Sequence, residues 1–433
     1  MKRETIMKKA LLLVLIATLL LPAGALAQDQ PHAGAEVVTT FMQSGTYDIG
    51  AEQLEPGFEE LTGIELEIVA SPFVVLVQNH ITDLSTGTGE FDVISGDFWI
   101  GSVWNQMHPL DELIERDMWG GSFIEGLMQP GPSGFFDGKR IGIPYSADAY
   151  GLIYRTDIFE EAGISADWET WDEFIAALDK LEAHLEGSDI APNVFAFGAS
   201  EQTPAIFLGM YDGYLVDAEG NYALDHDKAV AALNQMKSLL DYNPEGATGL
   251  SIDEANSVFL TGKAATMICW VSFVRAAAQD PDSSLVVDNW ATARFPGPGF
   301  PFLSAWNLFI SGFSENPEAA WEWIKYYITE EEAKRRFVEL GVGSPFLSTY
   351  EDAELIEKYS HDFPSMVENL NRAESVPWIF AAFEIFFRHM SEFVIGAVDV
   401  ETMLENTLAD WSELEVPEGL VQSAAAQGQM QEG

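Results

Sequence analysis

The sequence predicts an α/β fold in which mainly parallel sheets are flanked by helices. Three observations carry that expectation. Short apolar runs of β type alternate with helix-spaced segments over the first hundred residues. Of the 433 residues 47% are apolar and 12% aromatic, enough for a large buried core. Cys269 is the single cysteine, so no internal disulfide can substitute for that core.

The elements follow in order. EVVTTFMQ, from Glu36, reads as a strand, and IGAEQLEPGFEELTG has helical spacing and closes on Gly63. IELEIVA is a second strand. SPFVVLVQNHITDLSTG is a helix with Pro72 near its start, and FDVISGD a third strand. Strand, helix, strand, helix, strand implies a parallel sheet, whose ligands bind outside the carboxyl ends of the strands. Those ends are Gln43 to Tyr47 and Gly96 to Trp99. RIGIPY and YGLIYR read as two strands split by Ser146 to Ala149, with a helix, DIFEEAGI, directly behind.

From Asp157 the texture turns helical. WETWDEFIAALDKLEAHLEG carries Thr170 as N-cap and Glu173 three residues on, a capping box. NVFAFGAS is a strand candidate, with Glu201 to Pro204 as a loop behind it. DKAVAALNQMKSLLDY and SIDEANSVFLTG are helices, and KAATMICWVSF is a buried strand. NWATARFPG and LSAWNLFIS restore the β pattern. ENPEAAWEWIKYYITEEEAKRRFVELG is a long helix with a break expected near Ile328 and Thr329, and the tail from Asp352 to Leu414 is almost wholly helical.

Charge excludes some functions. With 69 acidic residues against 21 basic ones the formal net charge is −48, so a nucleic-acid partner has no basic footprint to use. The acids are spread along the whole chain, which reads as a solvated surface suited to dense salt. The alternative is a cationic ligand. At the N-terminus, Lys2, Arg3, Lys8 and Lys9 precede the apolar run ALLLVLIATLLLP and the Ala25-Leu26-Ala27 cleavage pattern. Residues 1–27 therefore read as a signal peptide cleaved after Ala27. Its removal takes away four bases and one acid and leaves a net charge of −51. Gln28 follows the cleavage point, so no lipid-anchor cysteine is expected there.

Catalytic and metal patterns fail. The Gly262-Lys263-Ala264 run lacks the upstream glycine and the Ser/Thr of a phosphate loop, and neither H-E-x-x-H nor G-x-S-x-G occurs. The seven histidines have no metal-ligand spacing. No enzyme activity, cofactor or metal is expected.

Several blocks resemble a known family. LEPGFEELTGIELEI, FDVISGDFWIGSVWNQMHPLDELI, GKRIGIPYSADAYGLIYRTDIFEEAGI, TWDEFIAALDKL, FLTGKAATMICW and SENPEAAWEWIKYYIT occur in the order found in family 1 extracellular solute-binding proteins of ABC importers, the maltose-binding-protein-like group. The departures are Arg155-Thr156, where that family usually has Asn-Lys, and Ile141, where it often has an aromatic. The resemblance implies a two-lobed periplasmic-binding-protein type II fold. Residues 36–147 and 271–330 would form lobe 1, residues 148–270 and 331–415 lobe 2, and residues 416–433 a polar C-terminal end. Pro144 and the Ser146 to Ala149 stretch would be hinge elements where the chain crosses between lobes.

The same resemblance implies a carbohydrate captured by hinge closure and delivered by a monomeric, extracytoplasmic protein to the permease subunits of an ABC importer. Aromatic faces suit the C–H patches of sugars, and Asp, Glu, Asn and Gln suit their hydroxyls. By position in the family pattern the site would use Gln43, Tyr47, Asp97, Trp99, Tyr145 and Asp148. Ser200, Glu201 and Gln202 would come from the second lobe, with Trp270, Trp306 and Trp378 as further platforms. Each has a plainer reading: Trp270 and Trp306 lie in apolar runs that suit a core, and Asp148 suits a strand cap. Two rivals are the same fold binding a polyamine or other cation, and a secreted glycoside-active enzyme, for which paired carboxylates give no specific support.

Overall fold

The computed structural model describes residues 30–128, 134–198, 202–376, 379–417 and 419–421. The signal-peptide reading, Ser200, Glu201, Trp378 and most of the C-terminal end lie outside them. The strands are β1 (Glu36–Met42), β2 (Glu65–Ser71), β3 (Val93–Gly96), β4 (Phe135–Phe136), β5 (Lys139–Arg140), β6 (Gly142–Arg155), β7 (Ala191–Val194), β8 (Ala264–Trp270), β9 (Trp290–Ala293) and β10 (Leu303–Ile310). β4 and β5 form a small separate hairpin. The other eight form one sheet in the order β2-β1-β3-β10-β6-β8-β7, with β9 also on β6.

The parallel pairing expected for the N-terminal block is present: β1 runs parallel to both β2 and β3. At the other end β7 and β8 are parallel. Between these blocks the strands β6, β9 and β10 join antiparallel. Helices Phe73–Thr86 and Pro317–Tyr327 pack on the β1 side of the sheet, and Trp171–His184 and Ile252–Leu260 on the β7 side.

β6 holds the two halves together. Its residues from Gly142 to Ala149 pair with β10, and those from Tyr150 to Tyr154 pair with β8. The sequence reading splits this segment into two strands; the structure runs them into one strand of 14 residues. Ser146 to Ala149 lacks β propensity but finds a partner, with Ser146 opposite Trp306 and Asp148 opposite Ser304. Pro144 is accommodated because the register shifts between Trp306 and Asn307, and a bulge tolerates a residue without an N–H. The first half of β6 is also lined by a close backbone approach. Ala147 N–H donates to Gly343 O at 3.1 Å, and a Cβ on Gly343 would stand 2.0 Å from Ala147 O.

Two further readings are corrected. NVFAFGAS is extended only at its start, because β7 stops at Val194. Gln202 to Pro204 opens the helix Gln202–Met210 instead of forming a loop; all nine residues of that helix are buried, so packing overrides the loop chemistry of Thr-Pro. The capping box at Thr170 forms as read, with Glu173 N–H donating to Thr170 Oγ1 at 3.3 Å and Thr170 N–H to Glu173 Oε2 at 3.0 Å. The long helix breaks as expected, into Pro317–Tyr327 and Glu330–Leu340. β9, within the stretch assigned by resemblance to lobe 1, pairs with the second half of β6, Ala293 opposite Leu152. Among the described residues no helix is long and apolar enough to cross a membrane.

Candidate functional site

A cavity of about 400 Å³ opens where the two blocks of the sheet meet across β6. One wall comes from the turn after β1 (Met42 to Tyr47), the Pro72-Phe73 entry to a helix, Asp97 to Trp99 after β3, and Phe302, Ser304 and Trp306 of the β10 region. The opposite wall comes from Gly198 and from the N-terminus of the helix Ile252–Leu260, which presents Ser251, Ile252, Asp253 and Asn256. Asp148 of β6, Trp270 at the end of β8, and Ser272 and Phe273 just beyond it form the floor. The strand ends thus gather here as the fold class requires.

Seven of the twelve sequence-predicted residues line this cavity: Gln43, Tyr47, Asp97, Trp99, Asp148, Trp270 and Trp306. Gln43 is exposed at the rim, whereas Trp270 and Trp306 are each only 6% exposed. Trp99 exposes nothing and forms the inner layer of the aromatic wall. It meets Phe73 edge-on at 5.4 Å and Phe98 at 5.5 Å, with the His80 ring stacked at 6.4 Å. Tyr145 does not reach the cavity; its hydroxyl is hydrogen-bonded to Ser95 Oγ at 2.9 Å, behind Tyr47. Gln202 is buried too, and its Oε1 accepts from the Tyr150 hydroxyl.

The carboxylates are placed by the sheet. Ser304 faces Asp148 in the β6–β10 register, and its hydroxyl donates to Asp97 Oδ2 at 2.7 Å. Burial pushes the Asp97 carboxyl up to about 6, although the Ser304 hydroxyl and backbone N–H donors pull the other way. Asp148 is also raised by burial, opposed by the field of Arg275 and by Ser272 N–H, which donates to its Oδ2 at 3.1 Å. Tyr47 shares a 3.3 Å hydrogen bond with Ser146 Oγ, and burial together with both carboxylates keeps its phenol protonated.

Behind Asp148 stands a separate buried pair. Arg275 Nε meets Asp362 Oδ2 at 2.5 Å, both side chains almost wholly excluded from solvent, and Arg275 Nη1 donates to Gly341 O at 2.9 Å. Among the described residues no group of three or more His, Cys, Asp or Glu side chains could hold a metal ion.

Sequence reasoning missed Phe73, Phe98, Phe273 and Phe302, which complete the aromatic lining, and the polar set Ser251, Asp253, Asn256, Ser272 and Ser304. A local signal existed for one group. Ser251-x-x-Glu254 is a capping box, and it forms, with Ser251 N–H donating to Glu254 Oε2 at 2.9 Å. It marks a helix start, and a helix start beside a cleft aims its first turn at the ligand.

The architecture is shared with known proteins. A solute-binding protein of an ABC transporter from Agrobacterium radiobacter K84, solved in complex with ribitol, matches with a TM-score of 0.79 at 20% identity, covering 89% of this chain and 100% of that one. MalE3 of T. maritima, solved with maltose bound, matches with a TM-score of 0.75 at 23% identity, covering 87% of this chain and 99% of that one. A putative binding protein of Brucella abortus is 29% identical over 267 residues, 59% of this chain. The match spans about three fifths of that curated relative's length (61%). The family model for bacterial extracellular solute-binding proteins matches residues 40–334, and the chain belongs to that family.

Proposed function

We propose that the protein captures a small carbohydrate, a sugar or polyol, in the cavity between its two lobes and delivers it to the permease of an ABC importer. One observation carries this reading. The cavity joins both blocks of the sheet and is walled by eight aromatic residues interleaved with the carboxylates Asp97, Asp148 and Asp253. Rings take the C–H faces of a sugar and carboxylates take its hydroxyls. The ribitol and maltose held by the structurally similar proteins support the same chemistry.

The lobes are 36–147 with 271–330 and 148–270 with 331–415, joined by β6, except that β9 pairs with the second and the segment 330–347 packs against residues of the first. Closure is a population shift, driven by the ligand's preference for the closed state. The protein catalyses nothing; ATP hydrolysis belongs to the importer. It works as a monomer outside the cytoplasmic membrane after cleavage behind Ala27.

A thermal-shift screen at high salt with mono- and oligosaccharides and polyols tests the reading, with tryptophan fluorescence followed in parallel. A ligand that binds only the folded state raises the melting point by mass action. A shift with one sugar or polyol class, together with a fluorescence change, is expected; silence across the panel would overturn the carbohydrate assignment.

A further inference from the structure

We propose that the solute this cleft selects carries a protonated amine on its polyhydroxy frame, an amino sugar or aminopolyol whose ammonium sits against Asp97. The inference rests on the carbohydrate reading above and sharpens it.

Of the aspartates buried among the described residues, Asp362 alone is ion-paired; Asp48, Asp83 and Asp92 are held by hydrogen bonds outside the cavity lining, whereas Asp97 and Asp148 line it. Asp362, fully buried, faces the Arg275 guanidinium. Asp97 is only 4% exposed, yet its partners are the Ser304 hydroxyl and backbone N–H groups; among the described residues no Lys, Arg or His forms an ion pair with it. A buried carboxylate without a cation is costly to keep ionised, and a cation that can reach it relieves that cost. Here the open side of Asp97 is the cavity. Among the described residues the lining includes three carboxylates, Asp97, Asp148 and Asp253, and no basic side chain. The cation whose field reaches Asp148, Arg275, is committed to Asp362. The ligand is left to bring the charge.

The rings suit the same occupant. Eight aromatic residues line the cavity, and an ammonium draws on aromatic rings as well as on carboxylates. Conversely, a uronic acid or sugar phosphate would meet three acids and, among the described residues of the lining, no counter-charge. The groups facing the proposed ammonium are Asp97, Asp148, Asp253 and the protonated Tyr47, with Arg275 and Asp362 one layer back. Because Asp97 titrates at about 6, an ammonium that restores its ionised form displaces a proton when it binds near that pH.

Calorimetry on the mature protein tests this. Each neutral solute is titrated beside its aminodeoxy counterpart: glucose with glucosamine, galactose with galactosamine, mannose with mannosamine, sorbitol with 1-amino-1-deoxysorbitol. Titrations run at pH 6 in two buffers of different protonation enthalpy. We expect the amine of at least one pair to bind ten-fold or more tighter than its neutral partner, with net proton release. In Asp97→Asn that advantage falls below three-fold. The proton count is read on the unaltered protein, so it stands even if the variant folds poorly. Neutral members that bind as tightly as their amines, without proton release, overturn this inference and leave the carbohydrate reading intact. If no member of any pair binds and the neutral screen is also silent, both readings fall.

Discussion

Trp99 and Trp306 meet edge to face, with ring centroids 5.2 Å apart and planes at 75°. Trp306 lines the cavity and keeps 6% of its surface exposed, while Trp99 has no exposed surface. The two rings therefore do different work. Trp99→Ala would remove a fully packed indole that touches four other rings, a loss of about 3–5 kcal/mol in stability. Urea unfolding should show the midpoint falling with an unchanged slope. Phe273, half-buried on the cavity floor, is the contrasting case. Phe273→Ala should weaken ligand binding about ten-fold while costing about 1 kcal/mol of stability. The reverse pattern, a harmless Trp99→Ala and a destabilising Phe273→Ala, would refute this division.

Much of this was legible from residue order. The strand ends at Gln43 to Tyr47 and at Asp97 to Trp99 follow from the βαβαβ pattern, and both reach the cavity. What residue patterns do not carry is depth. Trp99 and Tyr145 sit at plausible positions, but only packing decides that one is an inner layer and the other lies behind Tyr47. The continuity of β6 was hidden because Ser146 to Ala149 is polar and small, and its strand conformation is imposed by β10 across the sheet. The phenylalanines of the lining read as core because, at the level of sequence, a cavity wall and a core share one apolar pattern.

Asp97 gives a pH prediction with a definite sign. Its folded-state carboxyl titrates at about 6, against an unperturbed value of about 4. Between these values the folded protein holds the proton and the unfolded chain does not. The group therefore favours folding below about pH 4, and this contribution is lost as pH rises through about 6. Asp97→Asn removes the penalty. The variant should gain on the parent between pH 4 and pH 7 by about 2–3 kcal/mol, read as the difference between two denaturation series. A gap that does not change with pH would contradict the assignment.

The Arg275–Asp362 pair should behave as a unit. Arg275→Met leaves Asp362 buried without a counter-charge and also strips Asp148 of the field that opposes its burial. The expected cost is about 3–5 kcal/mol, whereas Arg275→Met with Asp362→Leu should recover much of it. A double-mutant cycle measures the coupling. Additive losses from the two single changes would mean that the pair is not coupled.

Salt dependence follows from the charge alone. With 21 basic residues for 69 acidic ones, most carboxylates have no basic partner to pair with. Exposed pairs such as Arg116–Glu318, at 2.7 Å, are worth about 0–1 kcal/mol each, and salt weakens them. Repulsion among the unpaired acids is screened by the same salt, because the Debye length shrinks from about 10 Å at 0.1 M to about 3 Å at 1 M. The unpaired acids outnumber the paired ones, so relief of repulsion exceeds the loss of attraction and the net effect is stabilising. Calorimetric melting in 0.1 M and 2 M KCl should show a rising Tm. Chloride is preferred to sulfate, which strengthens apolar burial in any protein and would blur the cause. A Tm that stays level or falls with KCl would mean that repulsion among surface carboxylates is not what limits this fold.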